Sequence, residues 1–330
     1  MLFRSVRTAV GLQAGQEAEI RLDFQPASGV DAPLSARLGI AADQDEEAMI
    51  AEAVQAAGRS GAAVVVVGPA EAAESEGFDR ETLALPGRQD ELIARVAAVN
   101  ARTVVVVNAG MPVLMPWAGD VAAIIYAWLP GQAMGDALAD VLLGRAEPGG
   151  RLPVTLPFSE ADSPVLHAVP RDGRIDYAEG LLIGYRGYDA AGIPPMFAFG
   201  HGLGYTQWAY ESVSVDGPVP GPGEDVRVRV LVRNAGSRPG REIVQAYVAG
   251  PAAAGPAAGA GRPVRVLAAF AVVTAGPGER AEAVLTVPAR VLAVWDQAAG
   301  GWAWPRGAFT IEIGRSSRDL RLRATVDPGG

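Results

Sequence analysis

The sequence predicts two folded units in succession, an α/β/α sandwich domain and then an all-β sandwich. Between residues 43 and 165, short and wholly apolar stretches alternate with segments of helical period. From residue 206 onward, short segments that alternate apolar and polar residues are separated by Gly/Pro turns. The first pattern is typical of a sheet with helices on both faces, and the second of an antiparallel sandwich. A length of 330 residues suits two such domains.

Residues 1–42 precede both units and have a different pattern. Alternating stretches at 17–24 and 36–40 predict two strands. Two strands cannot bury a face of their own, so we interpret this segment as the tail of a larger β unit. The predicted organisation is therefore 1–42 for these strands, 43–165 for the α/β sandwich, 166–205 for a connecting segment and 206–330 for the second sandwich.

The α/β segment begins with a helix signal. A capping box from Asp43 to Glu46 opens the first helix, and Gly58 ends it. Strands are predicted at 62–67, 103–108 and 121–127, and further helices at 89–98 and 131–143. The strands at 62–67 and 103–108 are apolar throughout, so we expect them to be buried on both faces.

The second unit contains six clear strand patterns. They lie at 225–233, 242–248, 264–273, 280–287, 309–314 and 320–326. Their number and spacing suggest a sandwich of the fibronectin type III kind. Residues 251–261, rich in Gly, Ala and Pro, predict a flexible loop within it.

Composition excludes several classes of function. The net charge is −9 and the 28 basic residues form no run, which argues against nucleic acid and anionic membrane surfaces as partners. Cysteine is absent, and His167 and His201 are the only histidines, so a Cys/His zinc site is excluded. We expect His201 to be a turn residue. No apolar run is long enough for a membrane span, and the first residues lack a secretory signal, which predicts a cytoplasmic protein.

Acidic and basic side chains cluster directly after the 62–67 strand. They are Glu71, Glu74, Glu76, Asp79 and Arg80. Ligands of open α/β sheets bind at the carboxyl ends of strands, so this loop is the first candidate for general acid/base chemistry. Glycine-rich phosphate loops and a Gly-x-Ser-x-Gly nucleophile elbow are missing, which argues against nucleotide binding and serine hydrolysis.

The same loop carries a family resemblance. Residues 74–80 (Glu-Ser-Glu-Gly-Phe-Asp-Arg) and 83–93 closely resemble the second domain of glycoside hydrolase family 3, whose best-known members are β-glucosidases. Further resembling blocks lie at 105–112, 127–132, 139–144, 148–157, 177–180, 184–189 and 199–206. The likeness spans about residues 45–326 and includes a fibronectin-like third domain. Residues 1–42 resemble the end of a protective-antigen-type sugar-binding insert.

The resemblance implies a retaining glycosidase that acts on a β-linked glycoside or oligosaccharide, without metal or organic cofactor. Retention needs two carboxyl groups roughly 5–5.5 Å apart. By the resemblance, Glu76 is the acid/base. Asp79 and Arg80 are expected to pair or to orient the loop, and Glu74, the remaining candidate for substrate binding or orientation, to be a solvated neighbour.

Two departures from the family pattern matter. An aromatic residue often precedes the acidic run, where this chain has Ala72 and Ala73, so a sugar-stacking platform is expected to be missing there. The family's nucleophile is an Asp on a preceding (β/α)8 barrel of roughly 200–250 residues, which this sequence does not contain. Because the native N-terminus is therefore expected to be missing, secretion stays open. We expect half of an active site and no activity from this chain alone.

Two other hypotheses remain open at this point. A non-catalytic carbohydrate-binding or scaffolding module fits the sandwich strands and the acidic loop. A nucleotide-binding doubly wound domain is favoured only by the apolar strands.

Overall fold

The computed structural model describes residues 15–19, 21, 45–69, 73–74, 80–164, 170–217, 221, 223–251 and 263–327. In these residues a parallel α/β domain is followed by an antiparallel β-sandwich, which confirms the predicted fold class. Residues 15–19 and 21, which overlap the strand predicted at 17–24, are assigned no strand. The strand predicted at 36–40, His167 and nearly all of the 251–261 loop lie outside the described residues.

The α/β domain has the predicted order of elements. They are α1 (Glu46–Gly58), β1 (Ala63–Val67), α2 (Gln89–Val99), β2 (Thr103–Val107), β3 (Ala123–Tyr126) and α3 (Met134–Leu142). The N-cap of α1 is Asp45 and not Asp43, because the Asp45 carboxylate accepts a hydrogen bond from the Ala48 N–H at 3.1 Å. Gly58 ends α1 as predicted.

The three strands form a parallel sheet in the order β1-β2-β3. One face packs against α1 and α2 in a single core, which includes Ala57, Val65, Val67, Ile93, Val96, Val105 and Val107. The prediction that β1 is buried on both faces is wrong. Val64 and Val66 are 50% and 56% exposed, because β1 is an edge strand of the described sheet and the helices lie on the other face.

The β-sandwich consists of two antiparallel sheets in the orders β12-β11-β6-β7 and β4-β5-β8. Its strands are β4 (Trp208–Val215), β5 (Val226–Asn234), β6 (Gly240–Ala249), β7 (Val266–Ala275), β8 (Arg280–Val287), β11 (Phe309–Gly314) and β12 (Leu320–Val326). All six predicted strands are present. The strand β4 and a hairpin of β9 (Val294–Asp296) and β10 (Gly301–Ala303) are additional.

Three short helices escaped prediction because each is too short for a periodic pattern. They are a 3₁₀ helix at Glu160–Asp162, α4 (Tyr185–Ala191) and α5 (Ala289–Leu292). Glycines bound α4 on both sides. Gly184 and Gly192 have φ of 54° and 67°, a region that other residues rarely adopt.

The α/β domain meets the sandwich at a buried group that we call the domain junction: Arg151, His201, Glu242 and Arg315. The fully buried Glu242 carboxylate lies 2.8 Å from the Arg151 guanidinium and 3.1 Å from that of Arg315. The Leu152 N–H donates to the His201 carbonyl at 2.9 Å. This hydrogen bond joins the backbone next to Arg151 to the backbone at His201. The His201 ring stacks on Phe197 in this turn, as expected for a structural residue. Burial, together with the charges of Arg151 and Arg315, lowers the pKa of His201.

Candidate active site

The carboxyl end of β1 is fixed by backbone and side-chain contacts at Gly68. The Gln89 side chain accepts from the Gly68 N–H and donates to the Gly68 carbonyl, both at 2.9 Å. A Cβ at Gly68 would lie 2.1 Å from the Asn108 carbonyl oxygen, so only glycine fits this close approach. The end of β1 is therefore held against Asn108, the residue that follows β2.

Glu74 and Arg80 form an ion pair at the two ends of that loop. The Arg80 guanidinium donates to Glu74 Oε1 at 3.1 Å. The side chains are only 19% and 6% exposed, respectively. Glu74 Oε2 also accepts from the Gly110 N–H, at 3.4 Å, in the loop after β2. The expectation that Glu74 is a solvated neighbour is wrong, since its carboxylate joins the ends of one loop to the next.

Glu76 and Asp79, two of the four predicted site residues, lie outside the described residues. The other two, Glu74 and Arg80, flank them directly in the chain. The structure thus describes the residue on either side of 75–79.

Arg80 is held from several sides. Its guanidinium donates to the carbonyls of Ala84 and Pro112, each at 3.3 Å, in addition to Glu74. The planar guanidinium can satisfy these acceptors from different directions at once. Arg80 therefore ties the loop after β1 to the loop after β2.

Glu160 supports the segment that follows Arg80. One of its oxygens accepts from the Thr82 hydroxyl and from the Leu83 N–H, both at 2.6 Å. These hydrogen bonds, with Thr82 the stronger cause, lower the pKa of Glu160. Sequence reasoning missed this residue, because its partners lie more than 75 residues away along the chain.

Aromatic side chains stand at the end of β3, beside the ion pair. The Tyr126 hydroxyl donates to the Met111 carbonyl at 2.7 Å, and its ring lies 4.6 Å from that of Trp128. Burial, and secondarily the negative charge of Glu74, raise the pKa of Tyr126 to about 12. Sequence reasoning did not assign these residues a role, although Trp128 belongs to the resembling block at 127–132.

Other kinds of site find little support in the part of the chain that the structure describes. No group of three or more His, Asp or Glu side chains there is placed to hold a metal ion. None of the described helices has both the length and the apolar character needed to cross a membrane. A shallow hollow between β7 and β8 is lined only by residues 267–270 and 284–286, none of which belongs to the strand-end loops.

Comparison with known proteins agrees with the fold and with the sequence motifs. Residues 6–205 match the family model of the glycosyl hydrolase family 3 C-terminal domain, and residues 242–317 match that of a fibronectin type III-like domain. The thermostable β-glucosidase B of Acetivibrio thermocellus is 41% identical over 285 residues, which is 86% of this chain and 37% of that protein. A β-glucosidase of Rhizobium radiobacter is 37% identical over 327 residues, 97% of this chain and 39% of that protein.

Solved structures give the same result. The family 3 β-glucosidase of Bifidobacterium adolescentis superposes with a TM-score of 0.79 at 38% identity, over 86% of this chain and 41% of that one. DesR, a β-glucosidase from Streptomyces venezuelae in complex with D-glucose, superposes with a TM-score of 0.77 at 37% identity, over 85% and 35%. This chain thus spans about two fifths of the length of these relatives. The chain belongs to glycosyl hydrolase family 3 and contains the C-terminal domain of that family followed by a fibronectin type III-like domain.

Proposed function

We propose that this chain supplies the general acid/base, Glu76, of a retaining hydrolase that cleaves β-glucosides or related β-linked oligosaccharides. The observation that carries the proposal is the Glu74–Arg80 ion pair, which joins the two residues that flank 75–79 in the chain, after the first strand of the parallel sheet. Family membership and the β-glucosidase names of the relatives support the same chemistry.

The proposed reaction has two steps. In the first, a nucleophilic carboxylate attacks the anomeric carbon while the protonated Glu76 gives its proton to the departing glycosidic oxygen. In the second, the Glu76 carboxylate removes a proton from the water that attacks the glycosyl-enzyme. The enzyme regains both starting protonation states, and the sugar keeps its anomeric configuration.

We propose that the nucleophile comes from a part of the enzyme that this chain does not contain. The resemblance assigns it to an Asp on a (β/α)8 barrel, and the matched relatives extend well beyond the aligned region. This chain alone is then expected to give no turnover, because one carboxyl group cannot perform both roles.

The remaining predicted site residues orient the loop in this proposal. Arg80 is nearly buried and bound by three acceptors, so it fixes the C-terminal end of the 75–79 loop. Glu74 fixes the other end through Arg80 and the Gly110 N–H. Asp79, next to Arg80 in the chain, orients the loop or binds substrate.

The test is a hybrid enzyme in which this chain replaces the matching part of the Acetivibrio thermocellus β-glucosidase B. In the hybrid, Glu76→Ala should lower kcat/KM for cellobiose by roughly 10²–10⁴-fold, because a poor leaving group needs the proton. An aryl glucoside with an acidic phenol should be affected much less. Glu81→Ala, at an exposed Glu next to Arg80, is the matched control. Equal losses on both substrates, or no loss, would remove Glu76 from the role.

A carbohydrate-binding role without catalysis is the second candidate. It is favoured by the antiparallel β-sandwich that follows the α/β domain and by the acidic side chains between β1 and Arg80. Calorimetry of the 330-residue chain with glucose and cellobiose tests it. Binding at millimolar or lower concentration, combined with an intact hybrid that hydrolyses nothing, would favour this role over catalysis.

A further inference from the structure

Trp128 has a backbone conformation that calls for a physical reason. Its φ is 57°, and among the described residues Asp172 is the only other non-glycine with positive φ. Asp tolerates this region because its short side chain can hydrogen-bond locally, whereas a bulky indole is a genuine outlier. Such outliers persist where the surrounding structure holds them, and they concentrate at functional sites.

The backbone at Trp128 is held by its neighbours. The Ala127 N–H donates to the Val107 carbonyl at 2.8 Å, which keeps the chain in register with β2 up to the residue before Trp128. The Tyr126 ring packs against the indole at an interplanar angle of 52°. This conformation turns the chain at the carboxyl end of β3.

Exposed apolar residues lie next to Trp128 in the chain and on the loop that Tyr126 contacts. Leu129 is 69% exposed and Met111 is 49% exposed, while Tyr126 and Trp128 are partly buried. We call Met111, Tyr126, Trp128 and Leu129 the Trp128 shelf. The Tyr126 hydroxyl bond to the Met111 carbonyl joins its two loops into one surface.

The Trp128 shelf adjoins the anchored acidic loop through Gly110. A Cβ at Gly110 would lie 3.0 Å from Leu129 Cδ1 and 3.7 Å from Glu74 Oε2. The Leu129 side chain and the Glu74 carboxylate therefore approach the same point from opposite loops. Gly110 itself places no side chain between them.

The chemistry of the Trp128 shelf selects its occupant. An indole face and two apolar side chains bind flat rings by dispersion and stacking and offer no charge of their own. A proton donor of a glycosidase must reach the oxygen that joins the sugar to its leaving group. The Trp128 shelf is an apolar surface that adjoins Glu74, which precedes the proposed donor by two residues in the chain.

On the basis of the acid/base role proposed for Glu76, we propose that the Trp128 shelf receives the leaving group of the substrate, with Trp128 and Leu129 as its specificity-determining residues. The ligand chemistry is a ring with an apolar face, either an aryl group or a second sugar.

Indole N–H signals in the NMR spectrum of the 330-residue chain provide the test. The chain has six tryptophans, and Trp128→Phe assigns the signal of interest. Phenyl β-D-glucoside, titrated to about 50 mM, should shift the Trp128 signal, whereas methyl β-D-glucoside should not. A shift with cellobiose as well would assign a second sugar to the shelf, and a shift with the phenyl glucoside alone an aryl group.

Two controls make the outcome decisive. Leu129→Ala should weaken phenyl glucoside binding at least about threefold, while Leu143→Ala, at a Leu of similar exposure, should not. The half-exposed Trp302 should not respond. Three outcomes would refute the proposal that the Trp128 shelf receives the leaving group. They are an unmoved Trp128 signal, an equal response of Trp302, and no difference between the two Leu variants.

The experiments can refute the proposal for the Trp128 shelf and the acid/base role of Glu76 independently of each other. Glu76→Gln in the 330-residue chain should leave the phenyl glucoside shift of Trp128 intact, since the variant removes only the ionisable group. A responsive Trp128 in a protein whose hybrid hydrolyses cellobiose normally after Glu76→Ala would retain the shelf and refute the acid/base role. The opposite pattern would retain Glu76 and refute the shelf.

Discussion

Two Glu–Arg ion pairs of similar length occupy very different surroundings in this molecule. Glu74 and Arg80 lie 3.1 Å apart at the edge of the parallel sheet, next to the exposed Leu129. Glu242 and Arg151 lie 2.8 Å apart in the domain junction, where the Glu242 carboxylate is fully buried. The same two residue types join neighbouring parts of the α/β domain in the first pair and join two domains in the second.

The two pairs differ in how much hydration their carboxylates lose when the chain folds. Burying Glu242 removes its hydration entirely, and the guanidinium groups of Arg151 and Arg315 compensate for that loss. Glu74 keeps part of its hydration and shares its charge with a backbone N–H. Removal of Glu242 should therefore affect the folding of the chain, and removal of Glu74 the position of one loop.

The largest expected effect is on stability, from Glu242→Ala. It leaves the buried Arg151 without its carboxylate partner, so the free energy of unfolding should fall by about 3–5 kcal/mol. Urea unfolding measures this change. Glu282→Ala, which removes an exposed partner of Arg229, should change it far less. Equal effects of the two variants would contradict the distinction between buried and exposed pairs.

The next effect is on activity, from Glu74→Ala in the hybrid enzyme. Loss of the charge-assisted hydrogen bonds to Arg80 and the Gly110 N–H, roughly 1.5–3 kcal/mol, should lower kcat/KM about 10–100-fold. Glu74→Gln keeps one acceptor oxygen, which can serve Arg80 or the Gly110 N–H but not both, and should recover part of the activity. If Gln and Ala lose the same amount, a single neutral acceptor does not replace the carboxylate, and one hydrogen bond alone is not what makes Glu74 important.

A smaller effect is the pH dependence of stability that His201 gives to the junction. Its pKa in the folded protein lies below the ordinary 6.5, because of burial and of Arg151 and Arg315. As the pH falls through the ordinary value of 6.5, the unfolded chain therefore binds the proton more readily, and the free energy of unfolding should decrease. Unfolding of the wild type and of His201→Asn should diverge as the pH is lowered through this value, with the variant flatter. Parallel curves would mean that His201 titrates normally.

The smallest effect is expected on the surface of α1 and α2. Hydrogen bonds from Arg88 and Arg95 lower the pKa of Glu91 to about 2. The stabilisation by this exposed carboxylate is present above its unfolded pKa of 4.5 and is lost as the pH falls toward about 2. Glu91→Ala should change the thermal midpoint slightly at low salt and not at all at about 1 M salt, where exposed charges are screened. A change that persists in high salt would show that the pair is less exposed than the structure indicates.

The sequence predicted the helices and strands of the α/β domain because their signals are local. Gly58 ends α1 after a stripe of helical period, and the wholly apolar 103–107 stretch forms the central strand β2. Which faces of β1 are covered by helices was not predictable from local signals. Whether Val64 meets a helix or solvent depends on where other elements pack, and the sequence of the strand does not contain that information.

The candidate site was predictable in its residue types and not in its contacts. The motif at 74–80 identifies Glu74 and Arg80, and the resemblance gives Glu76 its proposed role. The bond from the Gly110 N–H to Glu74 joins residues 36 positions apart, and no local pattern encodes it. The positive φ of Trp128 opposes the usual preference of a bulky residue, so only the folded chain reveals it.

The most direct measurement of the central claim is the configuration of the azide product formed by the Glu76→Ala hybrid enzyme. Without an acid/base, azide can attack the glycosyl-enzyme from the side that water would use, and retention then gives β-glucosyl azide. Proton NMR of the products of an activated aryl β-glucoside identifies the anomer directly. The β anomer, with azide restoring the rate, is the expected result. The α anomer, or no glucosyl azide from a folded and otherwise inactive variant, would contradict the assignment of Glu76.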